Sequence, residues 1–541
     1  MSRTQPPARS DAPTVILHWV LVAAVLVSLA TGLRIAAADA RLSAPWLEAL
    51  LPQGNVERWH VWSACVLVCG VIAYAFFLWY AAVTGRVTVT RASLRSADSE
   101  TRRRAWNRVI YWAAIVFLAL AGTTGGMFYF GGGRVPERTL ATVHQWAAWG
   151  FVAYIALHVA AQIWLGGVRQ LLKIVSPRLA YGAAGFAALC AAGVAWAIVY
   201  SADRAQIDEL HIVRMTERPS LDGDPGDAAW RSAPPVIIRT QRGANFAGGE
   251  TEVRVRAVHD DTDAYFLFEW QDPTRSYKHL PLLKTENGWG VLNKKYDIND
   301  EDDYYEDKFA IMFSRTPDIG GGASHLGAQP IAGKPAASNG RGLHYTEDGG
   351  LVDVWHWKSV RSGGLGQIDD NYFGPPLPAV PGARYTGGYT QDPATGGGFS
   401  QNWDKIAGSQ YVKPKRLPKD LAALQARLGR IELDPNTSDA APLAMRMDET
   451  VPYQPELDTY PIGTVLPSVL HQAPFVGDRG DVTAAATWKD GWWRLEARRK
   501  LDTGSKYDLP FVSGVYMWVA AFDHSQVRHT RHPHPVRMRM E

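Results

Sequence analysis

Four histidines lie inside apolar segments of the first 166 residues: His18, His60, His144 and His158. Hydrocarbon surroundings penalise an uncompensated ionisable group, so each needs a partner or a ligand to hold. His144 and His158 share one apolar run, TLATVHQWAAWGFVAYIALHVAAQIW, and stand fourteen residues apart. On a helix that spacing returns the rings to within about 40° of one face and separates them by roughly 21 Å along the axis. Imidazoles so placed suit iron ligation at two depths, one haem towards each side of a bilayer. A single such histidine would be read instead as a polar contact to a neighbouring helix. No CxxCH occurs, which excludes covalent c-type attachment and leaves haem b, held by ligands and packing.

The elements that must position these rings are membrane helices. Apolar stretches long enough to span a bilayer fall at about 14–37, 60–83, 107–129, 142–166 and 179–200. AAADA at 36–40 resembles a leader cleavage site, but the apolar run before it is too long, and cleavage would discard His18, so a retained first helix is expected. Basic residues crowd one set of loops: Arg3 and Arg9; Arg86, Arg91, Arg95, Arg102, Arg103, Arg104 and Arg108; Arg169, Lys173 and Arg178. The opposite loops hold only Arg34, Arg41, Arg58, Arg134 and Arg138. The positive-inside rule then predicts a cytoplasmic N-terminus and, after five crossings, a periplasmic C-terminal region anchored to a bacterial inner membrane. At matched depth His18 can meet only His158, the cytoplasmic-side pair, and His60 only His144, the periplasmic-side pair. Each pair would give a six-coordinate iron suited to electron transfer rather than substrate binding. Gly122, Gly125 and Gly126 in the third span serve either macrocycle clearance or helix contact. Cys65, Cys69 and Cys190 fall in apolar spans and read as small packing residues.

From about residue 205 the pattern changes to alternating strands: EVRVRAVHD, AYFLFEW, DKFAIMFSR, LVDVWHWKS, WWRLEARRKL and VYMWVAAFD. Period-two alternation between Gly and Pro clusters predicts an antiparallel sandwich. The stretch 318–440 reads as mostly loop with one strand. Among the outer histidines, His211 and His259 are expected to face solvent or bond locally, and His356 to be a core or rim residue. His325, in GGGASHLG, and His529, just past the strand 515–522, stand out. The acidic run DINDEDDYYED (297–307) reads first as a solvated loop, then as a calcium site or a docking patch for a basic cytochrome. The HTRHPHP cluster at 529–534 is a weaker transition-metal candidate. A formal charge of +3 gives no case for nucleic-acid binding.

LHW at 17–19, RWH at 58–60 and the two histidines of the fourth span make residues 1–175 resemble the di-haem membrane cytochromes b of bacterial cytochrome b561 and the hydrogenase b-type subunit. That resemblance implies electron exchange with quinone or quinol. LDGDPGDAAW, YYEDKFAIMF, VDVWHWKS and WWRLEARRKLDTG with VYMWVAAFD make residues 205–541 resemble the haem-binding subunit of ethylbenzene dehydrogenase and its relatives, including dimethylsulfide dehydrogenase. In that family one axial ligand comes from the loop before the VDVWHWKS-like strand, as Met or as a CxxCH histidine; the second, a Lys, follows the last strand. Here the matching places hold His325 and His529, which implies a third haem b with a different ligand pair and puts the family's high potential in doubt. His344, His524, His532, Met312 and Lys358 are the reserve ligands.

The expected architecture is therefore a membrane all-α helical bundle of five transmembrane helices with a four-helix di-haem core (1–178), a fifth helix and tether (179–204), and an all-β antiparallel sandwich (205–541). The expected function is electron transfer between the quinone pool and a periplasmic partner, either a cytochrome or a molybdenum/iron–sulfur oxidoreductase subunit. No catalytic acid, base or nucleophile constellation is evident. The rival expectations are an outer haem that acts directly on a small substrate, and a carbohydrate- or ligand-binding module on a di-haem anchor.

Overall fold

The computed structural model describes residues 10–38, 50–52, 56–130, 137–175, 177–293, 295–296, 301–317, 324–325, 343–346, 349–383 and 385–541. They form two compact units, a helical one reaching Gln206 and a β-rich one from Ile207 to Glu541.

The helical unit is built from α1 (Ala12–Ala38), α2 (Val56–Tyr80), α3 (Ser99–Phe130), α4 (Glu137–Gly166) and α5 (Gly182–Arg204). All five are long and apolar enough to cross a membrane. Large side chains such as Trp79, Trp146, Trp164, Phe186 and Leu189 are exposed along them. Water would penalise that surface and lipid does not. Helix α3 starts at Ser99, two turns before the apolar stretch expected from 107. Asp98 caps it by accepting the Glu100 and Thr101 backbone N–H groups, and Glu100 pairs with Arg104 one turn on. Hydropathy stops where charge begins; the helix does not. Helix α5 seats Ala184 and Ala188 beside Ala73, Phe77 and Leu78 of α2, small residues allowing close approach. One end of the bundle is tied by Arg86 to Asp11 (2.8 Å), Trp19 to the Ile174 carbonyl, Trp112 to the Val87 carbonyl and Arg178 to the Ser10 carbonyl. The basic segments after α2 and after α4 are thereby gathered at that end, beside the start of α1.

The β unit centres on a 12-stranded sheet. Its strands are β1 (Asp208–Arg214), β2 (Val236–Thr240), β3 (Thr251–His259), β4 (Asp263–Gln271), β5 (Lys308–Ser314), β6 (Val352–Lys358), β7 (Asp369–Phe373), β8 (Tyr389–Gln391), β9 (Thr483–Lys489), β10 (Trp492–Lys500), β11 (Tyr516–Phe522) and β12 (Val536–Met540). The order is β8-β7-β6-β5-β11-β12-β1-β3-β4-β10-β9, with β2 also on β3. Pairing is antiparallel except at β1, which runs parallel to both β12 and β3. The sheet curls over itself: Phe266 of β4 meets Phe313 and Trp355 of β5 and β6, and Trp270 stacks on Phe309 at 4.4 Å. Strands far apart in the order thus share one aromatic core, which is how a single sheet makes the two layers of a sandwich.

The stretch 318–440 corrects the expectation of a loop with one strand. Besides β6, its described residues hold β7, β8, the short strands Gly396–Gln401, Trp403–Lys405, Val412–Pro414 and Arg416–Pro418, and a helix at Leu421–Leu428. Strands of three residues are too short to show a period, and Gly397 and Gly398 adopt positive φ at a bulge opposite Ala473 and Val476. These pieces enclose a second core of Leu282, Trp289, Leu417, Leu424, Met445 and Leu470.

Candidate functional site

Antiparallel passage of α1, α2 and α4 brings the membrane histidines together in pairs. The rings of His18 and His158 lie 6.5 Å apart, centroid to centroid, and those of His60 and His144 lie 6.0 Å apart. An iron held between two imidazoles, with metal–nitrogen bonds of about 2 Å, sets the centroids roughly 6 Å apart. Both pairs therefore have the separation a bis-imidazole iron requires.

The surroundings of the two pairs differ. His60 Nδ1 lies 3.0 Å from Thr31 Oγ1 and 3.1 Å from the Ser28 carbonyl; His144 Nδ1 lies 2.9 Å from Thr124 Oγ1. Each threonine hydroxyl donates to a carbonyl of its own helix, Val27 or Leu120, so its oxygen accepts from the imidazole. That assigns the proton to Nδ1 and turns Nε2 to the metal side. His158 is held differently: its Nδ1 is buried without a hydrogen-bond partner, and Tyr111 and Tyr154 flank the ring at 5.3 and 5.6 Å. Beside it Gln162, Asn107 and Tyr111 are linked by hydrogen bonds of 3.0 Å. A Cβ on Gly32 would meet His60 Cε1 at 3.2 Å, and one on Gly125 would meet His144 Cε1 at the same distance. Gly125 thus clears space for a ligand ring, while Gly122 and Gly126 face open space. Thr31 and Thr124 were absent from the sequence expectations. A polar residue inside an apolar span was the only available signal, and nothing local ties Thr31 to a histidine 29 positions away.

In the β unit, register places His356, Ala310 and Ala520 in one row across β6, β5 and β11, with Lys308 and Phe522 in the next. His529 follows β11 and meets Phe522 at 4.9 Å, while His356 stacks on the same ring at 5.4 Å. His344 stacks on Phe373 at 5.0 Å, near enough that its charge would oppose one on His529. His529 is exposed to solvent on one side, and the rest of its ring is packed against protein, Phe522 included. That burial holds its imidazolium down to about 4, so the ring is neutral at pH 7, with Nδ1 donating to the Thr530 carbonyl (2.7 Å). Burial likewise lowers His344 to about 4, and His356 well below its ordinary value. Neutral imidazoles around a floor of two alanines suit a flat, metal-bearing ligand. His325 is placed by its backbone alone, in the pair Ser324–His325 with Leu343–His344; its side chain lies outside the described residues.

Several alternatives are occupied otherwise. Lys358 is bonded to Asp369, and His524 to Asp523. His532 accepts from Val519 N–H (3.0 Å) and bonds the His534 carbonyl (2.6 Å), so within the HTRHPHP cluster this ring is structural. His259 is buried and bonds the distant Glu541 carbonyl at 2.9 Å. The acidic run is not wholly a solvated loop. Residues 297–300 lie outside the described residues, but Glu306 and Asp307 are fully buried. Glu306 pairs with Arg361, and Asp307 accepts from the backbone N–H of Ser276 and His524.

Comparison with known proteins gives two family matches. Residues 227–533 match the family described as ethylbenzene dehydrogenase, and residues 9–177 match that described as prokaryotic cytochrome b561. No curated protein matches the chain. Among solved structures, a carbohydrate binding module family 9 from Caldicellulosiruptor kristjanssonii in complex with glucose is similar at 10% identity and a TM-score of 0.24, covering 62% of this chain and 96% of its own. The same module with cellotriose gives 10% identity and 0.22, covering 61% and 93%. Likenesses this slight bear on neither fold nor function.

Proposed function

The chain belongs to the ethylbenzene dehydrogenase family, with a prokaryotic cytochrome b561 domain ahead of it, and from that membership we propose that it carries electrons between the quinone pool and a periplasmic redox partner through three haems b. It is a membrane b-type cytochrome with an attached β domain; the haem number, the ligands, the orientation and the partner are the proposal. The observation that carries it is the pair of histidine couples at 6.5 and 6.0 Å. Haem b supplies reversible one-electron transfer, and ligation by two imidazoles closes the iron to substrates.

His18 with His158, and His60 with His144, would hold the membrane haems. The basic segments gathered at the Asp11 end favour a cytoplasmic placing of His18 and His158. The Gln162–Asn107–Tyr111 group offers hydrogen-bonding partners beside that pair, as a quinone carbonyl would need. His529 would hold the third haem from beside Phe522, opposite His325 or His344 on the segment that precedes β6. A partner subunit bearing molybdenum or iron–sulfur centres fits the family's oxidoreductase setting, and a soluble cytochrome fits the electron-transfer role.

Haem stoichiometry on the purified full chain tests the proposal. About three haems b per chain, all low-spin, are expected. His529→Ala should remove or convert to high-spin one of the three, and whichever of His325→Ala and His344→Ala does the same identifies the opposing ligand. Two haems, with all three variants spectrally silent, would leave the β domain without an electron-transfer role and favour a ligand-binding module.

A further inference from the structure

Asp353 of β6, Asp370 of β7 and Asp508, in the turn before Leu509, bring carboxylate oxygens within 4.8 Å of one another while all three are buried. Two more carboxylates close on them. Asp392, whose backbone N–H bonds the Asp370 carbonyl at 3.1 Å, reaches hydrogen-bonding distance of Asp508, and Asp481 reaches that of Asp370. Burial alone does not make a site, since a buried carboxylate can be satisfied by N–H groups. Here many oxygens are not: Asp353 Oδ1, Asp370 Oδ2, both oxygens of Asp392, Asp481 Oδ1 and Asp508 Oδ1 have no hydrogen-bond partner. Orphaned buried oxygens are uncommon in native folds and costly; here they belong to three carboxylates within 4.8 Å of one another and to two more that flank Asp508 and Asp370. Arg499 is the one described cation in contact, bonded to Asp353 Oδ2 (2.5 Å) and the Leu509 carbonyl; Asp370 Oδ1 accepts from the Asn371 N–H and Asp508 Oδ2 from the Thr503 hydroxyl, so a single guanidinium answers five carboxylates. The second buried acidic group, Asp307 with Asp523 and His524, shows the contrast. There Ser276, Trp493 and His524 occupy the Asp307 oxygens, and His524 answers Asp523, so no ligand is called for.

We propose that Asp353, Asp370, Asp392, Asp481 and Asp508 form a calcium site that ties together five segments of the β domain. The donor set is all oxygen and mostly anionic, with neither nitrogen nor sulfur, which selects a hard cation over zinc, copper or iron. Six unpartnered carboxylate oxygens suit the 6–8 oxygen ligands that calcium takes in flexible geometry, whereas magnesium demands a near-ideal octahedron and keeps several waters. The clamp joins segments distant in sequence: β6, β7, the residue after β8, the turn before β9 and the turn after β10. Without a cation the cluster repels itself. Burial, then the neighbouring carboxylates, push Asp392 up to about 8 and Asp481 to about 7, and hold Asp370 well above the carboxylate range. This site is separate from the histidines around Phe522 and stands or falls independently of haem in the β domain.

The test uses the full chain purified in detergent from calcium-replete medium. Elemental analysis after gel filtration should find about one calcium per chain. Removing it with EGTA should lower the unfolding temperature of the β domain by several degrees. Calcium should restore that temperature, and magnesium at equal concentration should not. Asp370→Asn and Asp392→Asn should each weaken calcium binding at least tenfold, yet leave the EGTA-treated chain as stable as EGTA-treated wild type or more so, because each replaces a carboxyl that folding forces to hold a proton with an amide that is neutral already. Absence of retained calcium, with an unfolding temperature indifferent to EGTA and calcium, overturns the site. A calcium response unchanged in the double variant overturns it equally, since the ion would then bind elsewhere.

Discussion

Thr124 holds the His144 imidazole through one hydroxyl, and its effect is open to measurement. Removing the 2.9 Å bond by Thr124→Val leaves shape nearly unchanged but makes the imidazole a weaker electron donor. The midpoint potential of the haem at His60/His144 should rise by on the order of tens of millivolts, while that at His18/His158 stays put. An unaltered potentiometric titration would show that the hydroxyl does not tune the ligand. The acidic cluster gives a second prediction at this scale. Burial, followed by Asp508, pushes Asp481 to about 7; burial, partly offset by Arg499, pushes Asp353 to about 6. A carboxylate raised on folding stabilises the fold fully below its unfolded value, and that contribution is lost as pH climbs through the folded one. In EGTA the unfolding temperature of the β domain should therefore fall between about pH 4 and pH 7. Saturating calcium should flatten the slope, and equal slopes with and without calcium would count against a bound cation.

Close approach between helices and ligand rings makes the element scale sensitive to single carbons. A Cβ on Gly125 would already sit 3.2 Å from the His144 ring, so the two methyls of Gly125→Val must push the ring off the metal side. Overpacking of this kind costs about 1–3 kcal/mol. The expected outcome is loss of one membrane haem, with the His18/His158 haem retained in the difference spectrum. In the β unit the aromatic seam carries the curl. Trp270→Ala removes a fully buried ring stacked on Phe309 and should cost about 3–5 kcal/mol, read as a lowered denaturation midpoint.

At the scale of the whole molecule, the basic segments gathered at the Asp11 end set a direction across the membrane. A reporter fused after Glu541 should be active only outside the cytoplasm, and one inserted among Arg102, Arg103 and Arg104 only inside. The opposite pattern would place the β domain in the cytoplasm and remove the periplasmic partner from consideration. Haem content offers a second check on depth. His158→Ala should abolish one membrane haem and spare that of His60/His144. Equal loss of both in an inserted, stable variant would contradict pairing by level.

The sequence by itself determined whatever depends on local periodicity and on a scarce residue type. Five apolar runs were legible because lipid demands about twenty apolar residues in a row, and a histidine inside such a run is conspicuous for its cost. The depth pairing of His18 with His158 and His60 with His144 was legible too, since alternating helix directions leave one arrangement. The six long strands showed through alternation, and all six are present. Only the tertiary structure decided the rest, because it depends on residues far apart in the chain. The hydrogen bond from His60 to Thr31, the short strands hidden in 318–440, and the meeting of His356 and His529 on Phe522 have no local signature. The five aspartates are scattered from 353 to 508, each unremarkable in its own segment. Their charges meet only because one sheet curls and closes on itself, and it is that convergence of unpaired oxygens that calls for a cation.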